Sequence, residues 1–252
     1  FYFKYANFVL SSLNALFGTS FASIPGISVL PLGISFYTFQ TLSYTIDVYR
    51  RDVKTEHNII DFGAYVVMFP QLIAGPIVRY TTVMEQIRER TVTKDDFAQG
   101  ILRFLYGLSK KMLLANVLAE LVHVAFSTAQ PSVCMAWLGS IAYTLQIYFD
   151  FSGYSDMAIG MGRMFGFHFL ENFDSPYPSR TVTEFWRRWH ISLGSWFRDY
   201  VYFPLGGSRV DSNGRLVFNL ALVWLLTGIW HGANWTFILW GVLHGAVIIV
   251  EK

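Results

Sequence analysis

Charge is what this sequence is most short of. Only 14% of its 252 residues are Asp, Glu, Lys or Arg, against roughly 25% in soluble domains. The net balance of +2 is too small a surplus to argue for a nucleic-acid partner. Cysteine is nearly absent: Cys134 stands alone, which excludes an intrachain disulfide and reads as a small packing residue. No HExxH or CxxC spacing occurs, so the sequence offers no metal signature, and neither G-x-S-x-G nor a P-loop is found. Internal repeats and low-complexity segments are missing too.

What fills the chain instead is apolar. Hydrophobic residues make up 53% and aromatic ones 18%, and the mean hydropathy is +0.38. Uncharged stretches over 21–46, 133–149 and 232–250 reach or approach the ~20 residues that a spanning helix needs. The expected fold class is therefore all-α and polytopic in a membrane. Lysine and arginine gather at 50–54, 79–94, 180–198 and 209–215, and the positive-inside rule puts those loops in the cytoplasm. The chain opens on Phe1, not methionine, and closes at Lys252 just past an apolar run. It is expected to be an internal piece of a longer protein, one integral-membrane core over 1–252 truncated at both ends.

Taken in order, 1–17 reads as the end of a span, 18–26 as a turn region, and 32–49 as a span closed by Arg50-Arg51. Residues 58–68 begin a helix that meets Phe69-Pro70-Gln71-Leu72-Ile73-Ala74-Gly75-Pro76, which cannot continue it. Broken backbone at membrane depth is tolerated only inside protein or along a wet cavity, so this segment is expected to kink or re-enter. Residues 81–90 suit the membrane surface. Thr93 with Asp95 and Asp96 starts a helix to about 127, its half with Arg103, Lys110 and Lys111 at the interface. Residues 133–149 span. Gly153, Gly160, Gly162 and Gly166 then punctuate a separate short helix and let it pack closely. Asp150 and Asp156 near that break either line a polar cavity or satisfy loosened backbone. Residues 181–202 read as one amphipathic helix along the cytoplasmic surface, anchored by Trp186, Trp189 and Trp196 alternating with Arg187, Arg188 and Arg198. A turn on Asn213-Gly214 leads into an apolar helical hairpin, 216–230 and 235–250.

The chemistry concentrates in 183–244. His231 is an ionisable ring inside a run that is otherwise uncharged from 216 to 250, which makes it a functional-site hypothesis by default. The plain alternative is a core histidine bonded to a neighbouring helix. Gly228 and Gly232 offer close approach, Trp230 and Trp235 build an aromatic wall, and Asn234 is a polar partner three residues on. A poorly solvated imidazole stays neutral and can take a proton from a hydroxyl, as acyl transfer requires. His190 follows Arg187 by three residues and Glu184 by six, so on one helix they share roughly one face. Arg187, Arg188 and Trp186, continued by Arg198 and Asp199, read as a place for an anionic or phosphate-bearing group, or as a solvated interfacial face. His244 lies ~20 Å beyond His231 on one continuous helix, so the two share a site only if the helix breaks. His57, His123 and His168 are isolated and read as structural.

The sequence resembles the membrane-bound O-acyltransferase family, most of all its bacterial alginate O-acetylation branch. The resemblance runs in order through Pro31-Leu32-Gly33-Ile34-Ser35-Phe36-Tyr37-Thr38-Phe39-Gln40, Ile46-Asp47-Val48-Tyr49-Arg50 and Phe69 to Tyr80. It continues through Asp150 to Gly160, Glu184 to Leu193, Trp196 to Tyr202 and Trp230-His231-Gly232. Gly194 stands where a serine is common. The resemblance implies a many-helix bundle around a central funnel. It implies that His231 is the active-site histidine and His190 the second important one. It further implies no bound cofactor, and an acyl thioester donor from the cytoplasm such as acetyl-CoA. In this branch the acyl group is passed across the bacterial inner membrane to extracytoplasmic acetyltransferase partner proteins that modify a polysaccharide. The related D-alanylation branch acts on teichoic acids. Rival readings are an acyl conduit or transporter built on the broken helices, and a non-catalytic scaffold.

Overall fold

The computed structural model describes residues 2–25, 31, 33–72 and 75–252, apart from the Gln71 side chain, and every regular element among them is helical. The elements are α1 (Tyr2–Phe17), α2 (Ile34–Arg50), α3 (Ile59–Val66), the single turn α4 (Phe69–Leu72), α5 (Tyr80–Glu89), α6 (Lys94–Ser109), α7 (Asn116–Ser127) and α8 (Val133–Met164). After them come α9 (Val182–Arg188), α10 (Ile191–Phe197), α11 (Asn213–His231) and α12 (Trp235–Val250). Two π-helical segments, Lys110–Ala115 and Arg198–Tyr202, join α6 to α7 and follow α10.

Local chemistry accounts for most boundaries. Asn58, Thr93, Ser132, Thr181, Ser212 and Asn234 each accept a backbone N–H of the first turn that follows, satisfying a donor that would otherwise be orphaned. The broken segment at 69–76 is found where its prolines put it: one helical turn, then Gly75 at φ 108°. Ile73 and Ala74 of that segment, Leu32 at the head of the expected span and Gly26 of the first turn region lie outside the described residues.

Three expectations are corrected. The helix break near Asp150 does not exist; α8 runs unbroken for 32 residues. Its glycines serve contact instead. A Cβ on Gly160 would lie 2.7 Å from the Gly100 carbonyl oxygen, and one on Gly107 would lie 2.5 Å from that of Gly153. α6 and α8 therefore touch backbone to backbone, which only glycine permits. Asp150 and Asp156 neither line an open cavity nor cap loose backbone. Asp156, buried, binds Arg103 at 2.6 Å and Lys110 at 2.7 Å, and Asp150 pairs with Lys111. The π-helical turn at 110–115 lets both adjacent lysines reach α8. Finally, Asn213-Gly214 is no separate turn but the first turn of α11, capped by Ser212.

α11 is the one helix among the described residues long and apolar enough to cross a membrane, and α12 is a shorter apolar partner. Gly228 and Gly241 bring the pair close: a Cβ on either would stand 3.0–3.3 Å from the other's Cα. Leu113, Val117, Phe126, Trp137 and Ile141 of the α6–α8 side, with Leu239, Leu243 and Val250 of α12, are exposed. An apolar outer surface of that extent suits lipid.

Candidate active site

The stretch expected as one helix over 181–202 breaks at His190. α9 ends at Arg188, and His190 takes a left-handed backbone, φ 46°, ψ 54°. A non-glycine residue there costs ~1–2 kcal/mol, so something must hold it. That something is Asn172. Its carbonyl accepts Ile191 N–H at 2.9 Å, and its Oδ1 accepts Ser192 N–H at 3.2 Å and Ser192 Oγ–H at 2.8 Å. Asn172 Nδ2 in turn donates to Ser155 Oγ at 3.0 Å, anchoring the turn to α8. The break turns His190 inward, away from the face of Glu184 and Arg187 that a continuous helix would have given it.

Asn172 also sets the tautomer. His190 Nδ1 lies 3.1 Å from the same Oδ1, which is an acceptor. Nδ1 therefore carries the hydrogen, and Nε2 is left with a free lone pair. That Nε2 is buried without a hydrogen-bond partner among the described residues. Burial, and secondarily His231, push the ring down to about 3, so it is neutral at pH 7. Phe151 meets it edge-on at 4.7 Å and Trp230 stands 6.1 Å away. Trp230 Nε1 and Trp186 Nε1 are likewise buried without partners. Buried orphans of this kind call for an explanation.

His231 is the last residue of α11, because Gly232 leaves the helix in an extended conformation, φ −172°. The residue is exposed, and its ring is bounded by Trp230 at 4.9 Å, Trp240 at 4.8 Å and Phe237 at 6.3 Å. Trp230 thus stands between the two histidines. It also stacks on Phe39 of α2 at 5.4 Å. The break that joining His231 to His244 required is present, and both rings pack on Trp240, His244 at 4.7 Å, with Trp186 and Trp224 completing the cluster.

Several sequence-predicted partners go elsewhere. Asn234 Oδ1 caps α12, taking Thr236 N–H at 3.0 Å, and is not bound to His231. Gly232 does not open a passage, since a Cβ there would strike the Phe237 ring; Gly228 is filled by α12 in the same way. Arg188 is held by Glu184 at 3.0 Å and Asp174 at 3.7 Å, so it is not available for an anion. Arg187 is exposed. Trp196 is no surface anchor: it is 3% exposed and donates its indole N–H to the Phe39 carbonyl.

Arg198 and Asp199 do face a cavity. It has a volume of about 190 Å³, is half enclosed, and is lined by Arg79, Thr82, Ser192, Ser195, Arg198 and Asp199. Both oxygens of Asp199 are engaged, by Arg79 and by Arg198, each at 2.8 Å. Burial alone would raise its acidity range, but the hydrogen bonds from Arg198 and Arg79 outweigh it and hold the carboxyl low. Arg50 lies over the Tyr200 ring at 5.4 Å and Arg79 at 5.0 Å. Ser192, which lines this cavity, is the hydroxyl bonded to Asn172 beside His190. The residues sequence reasoning missed are Asn172, Arg79 and, from α1, Lys4, whose ammonium reaches the Trp230 carbonyl. A lone lysine in an apolar helix was the available signal for the last.

Residues 46–252 match the model of the membrane-bound O-acyltransferase family. The chain is 53% identical over its whole length to a probable alginate O-acetylase AlgI of Azotobacter vinelandii, covering 50% of that protein. It is 38% identical over its whole length to a peptidoglycan O-acetyltransferase of Helicobacter pylori, covering 52% of it. It is 27% identical over 86% of its length to a teichoic acid D-alanyltransferase of Bacillus subtilis, covering 58% of it. The chain thus spans about half the length of these relatives.

Proposed function

The chain belongs to the membrane-bound O-acyltransferase family, and from that premise we propose that the full protein is an O-acetyltransferase working across a bacterial inner membrane. The acyl group comes from a cytoplasmic thioester, acetyl-CoA or a similar carrier, and serves O-acetylation of an extracytoplasmic polysaccharide. Partner acetyltransferases on the far side complete the delivery. The higher identity to alginate O-acetylases than to the peptidoglycan enzyme favours an alginate-like acceptor.

The observation that carries the reading is the pair of histidines around Trp230. His231 is open to an incoming group, and His190 keeps a buried, unpartnered acceptor nitrogen across the indole. A hydroxyl both donates and accepts. A hydroxyl or water beside the reacting one donates to His190 Nε2 and accepts from Trp230 N–H, the two things those rings lack. In the transfer step the imidazole of His231 accepts the acceptor hydroxyl's proton while its oxygen attacks the thioester carbonyl. The C–S bond breaks, and the thiolate leaves with the proton that the imidazole returns. Arg79 and Arg198 line the neighbouring cavity, and an anionic part of the donor binds there by displacing the Asp199 carboxylate that now holds both guanidiniums.

The test is His231→Ala in the full-length protein, with polymer acetylation as the readout. Acetylation is expected to vanish, and unchanged acetylation rejects the assignment. A conduit reading fares worse than it did from sequence, because the second of the two broken helices it needed, near 150–166, is continuous.

A further inference from the structure

α11 ends badly by the usual standards. The last carbonyls of a helix have no partners within it, and Gly232 turns away without a capping bond. No Schellman or left-handed cap follows. The missing donors come from another helix, α1. Tyr5 donates its hydroxyl to the Ile229 carbonyl at 2.7 Å, and Lys4 donates its ammonium to the Trp230 carbonyl. Lys4 also donates to Ser35 Oγ of α2 at 3.1 Å and stands 5.7 Å from the centre of the Trp230 ring.

The other half-buried cations of this structure behave differently. Arg103 and Lys110 are neutralised by Asp156, Lys111 by Asp150, and Arg79 by Asp199. Among the described residues Lys4 has no carboxylate partner. Its neutralising group is the helix end itself, which carries roughly half a negative charge. A charge in an apolar helix whose compensation is that helix end is tied to the geometry of the contact. The contact is with Trp230, one residue before His231.

We infer that Lys4, seconded by Tyr5, is a positioning residue for acyl transfer: it clamps the end of α11 from α1 and fixes where the His231 ring stands. This rests on the catalytic reading of His231. α1 precedes residues 46–252 that match the family model. The clamp also closes one side of an open groove of about 760 Å³ in which Lys4, Asn7 and Ser11 of α1 face Asn234 and Trp235. It therefore keeps His231 from swinging with the hairpin tip.

The experiment uses the full-length protein in detergent, with turnover of the acyl thioester measured as kcat and KM and folding followed as Tm. Lys4→Met is expected to lower kcat by about 10²-fold, the scale of a 1 Å misplacement, with KM for the donor changed less than about twofold. Lys4→Arg, which keeps charge and donors, is expected to recover most of kcat. Tyr5→Phe and Ser35→Ala each remove a single hydroxyl and are expected to cost several-fold; they carry the test if Lys4→Met does not fold. Full kcat in Lys4→Met, or in both hydroxyl variants when Lys4→Met is lost, overturns the clamp. So does a fall in Tm alone, or failure of Lys4→Arg to exceed Lys4→Met, either of which makes Lys4 a helix anchor. His231→Ala runs in parallel. If that variant is inactive while Lys4→Met is normal, only the clamp fails; if His231→Ala turns over normally, the catalytic reading itself falls.

Discussion

At the scale of single residues, His190 shows what tertiary contact can impose on a sequence. Its side chain gains nothing locally from a left-handed backbone. Asn172 makes that backbone the lower-energy choice by accepting from His190, Ile191 and Ser192 together. The same burial that leaves Nε2 unpartnered has a measurable consequence. In the folded protein the ring is held down to about 3, whereas an unfolded histidine titrates near ~6.5. Above pH 6.5 neither state binds the proton, so the group adds no pH dependence there. As the pH falls from 6.5 toward 3, only the unfolded chain takes it up, and the native state loses ~1.4 kcal/mol per unit. Thermal unfolding in detergent from pH 7 to pH 4 is therefore expected to show a shallower acid slope for His190→Gln, by up to one proton. That variant is less stable at pH 7.5, because Asn172 Oδ1 loses a well-placed donor. An identical slope in the two proteins would mean that His190 is hydrated in the native state.

At the scale of elements, the glycines decide how α6, α8, α11 and α12 pack, and they do so as contacts and not as hinges. Gly107→Ala would put a Cβ 2.5 Å from the Gly153 carbonyl oxygen and 2.7 Å from the Met157 nitrogen, both backbone atoms that cannot step aside. Overpacking of this kind costs ~1–3 kcal/mol, and it also parts Lys110 from Asp156. Gly63→Ala in α3 meets nothing within 4 Å, so it is expected to be neutral or to gain ~0.5–1 kcal/mol from the helical preference of alanine. Melting the two variants side by side checks the contrast. Equal Tm values would show that α6 and α8 do not depend on the glycine contact. These elements also mark how far the sequence could be read. Caps such as Asn58 and Thr93 and the proline-rich break at 69–76 are local signals, and the structure follows them. The continuity of α8 was not legible, because the same glycines that punctuate a helix also let it touch a neighbour. The break at His190 was not legible either, since its cause, Asn172, lies eighteen positions upstream. His231 and His190 were visible as costly residues in an apolar or aromatic setting. The arginine that meets the cavity from outside that stretch, Arg79, was hidden by distance along the chain.

At the scale of the whole molecule, the arrangement fixes which ends lie together, and so makes the orientation testable. Glu251, just past α12, accepts the backbone N–H groups of Val182 and Thr183, each at 2.7 Å. The start of α9 is thereby tied to the end of α12. Leu216 near the start of α11 and Ile249 near the end of α12 pack into one cluster with Leu220, Trp224 and Ile248, so both hairpin ends lie at one level. Arg215 and Lys252 flank those ends, and Arg180 precedes the tied start of α9. The hairpin tip, with His231 and Asn234, stands ~28 Å away at 1.5 Å per residue over the 19 residues of α11. The positive-inside rule assigns the basic level to the cytoplasm. Under the proposed function, the cavity at Arg79 and Arg198 is assigned to the cytoplasmic donor and the groove beside Lys4 and Asn234 to the opposite side. In a background with Cys134 replaced by serine, since that thiol is exposed, cysteines at Thr183 and Ser195 are each expected to react with an impermeant reagent supplied from the cytoplasmic side. A cysteine at Asn234 is expected to stay silent to the same reagent. Labelling of Thr183→Cys or Ser195→Cys from outside would invert the orientation, and with it the assignment of donor and acceptor to the two openings.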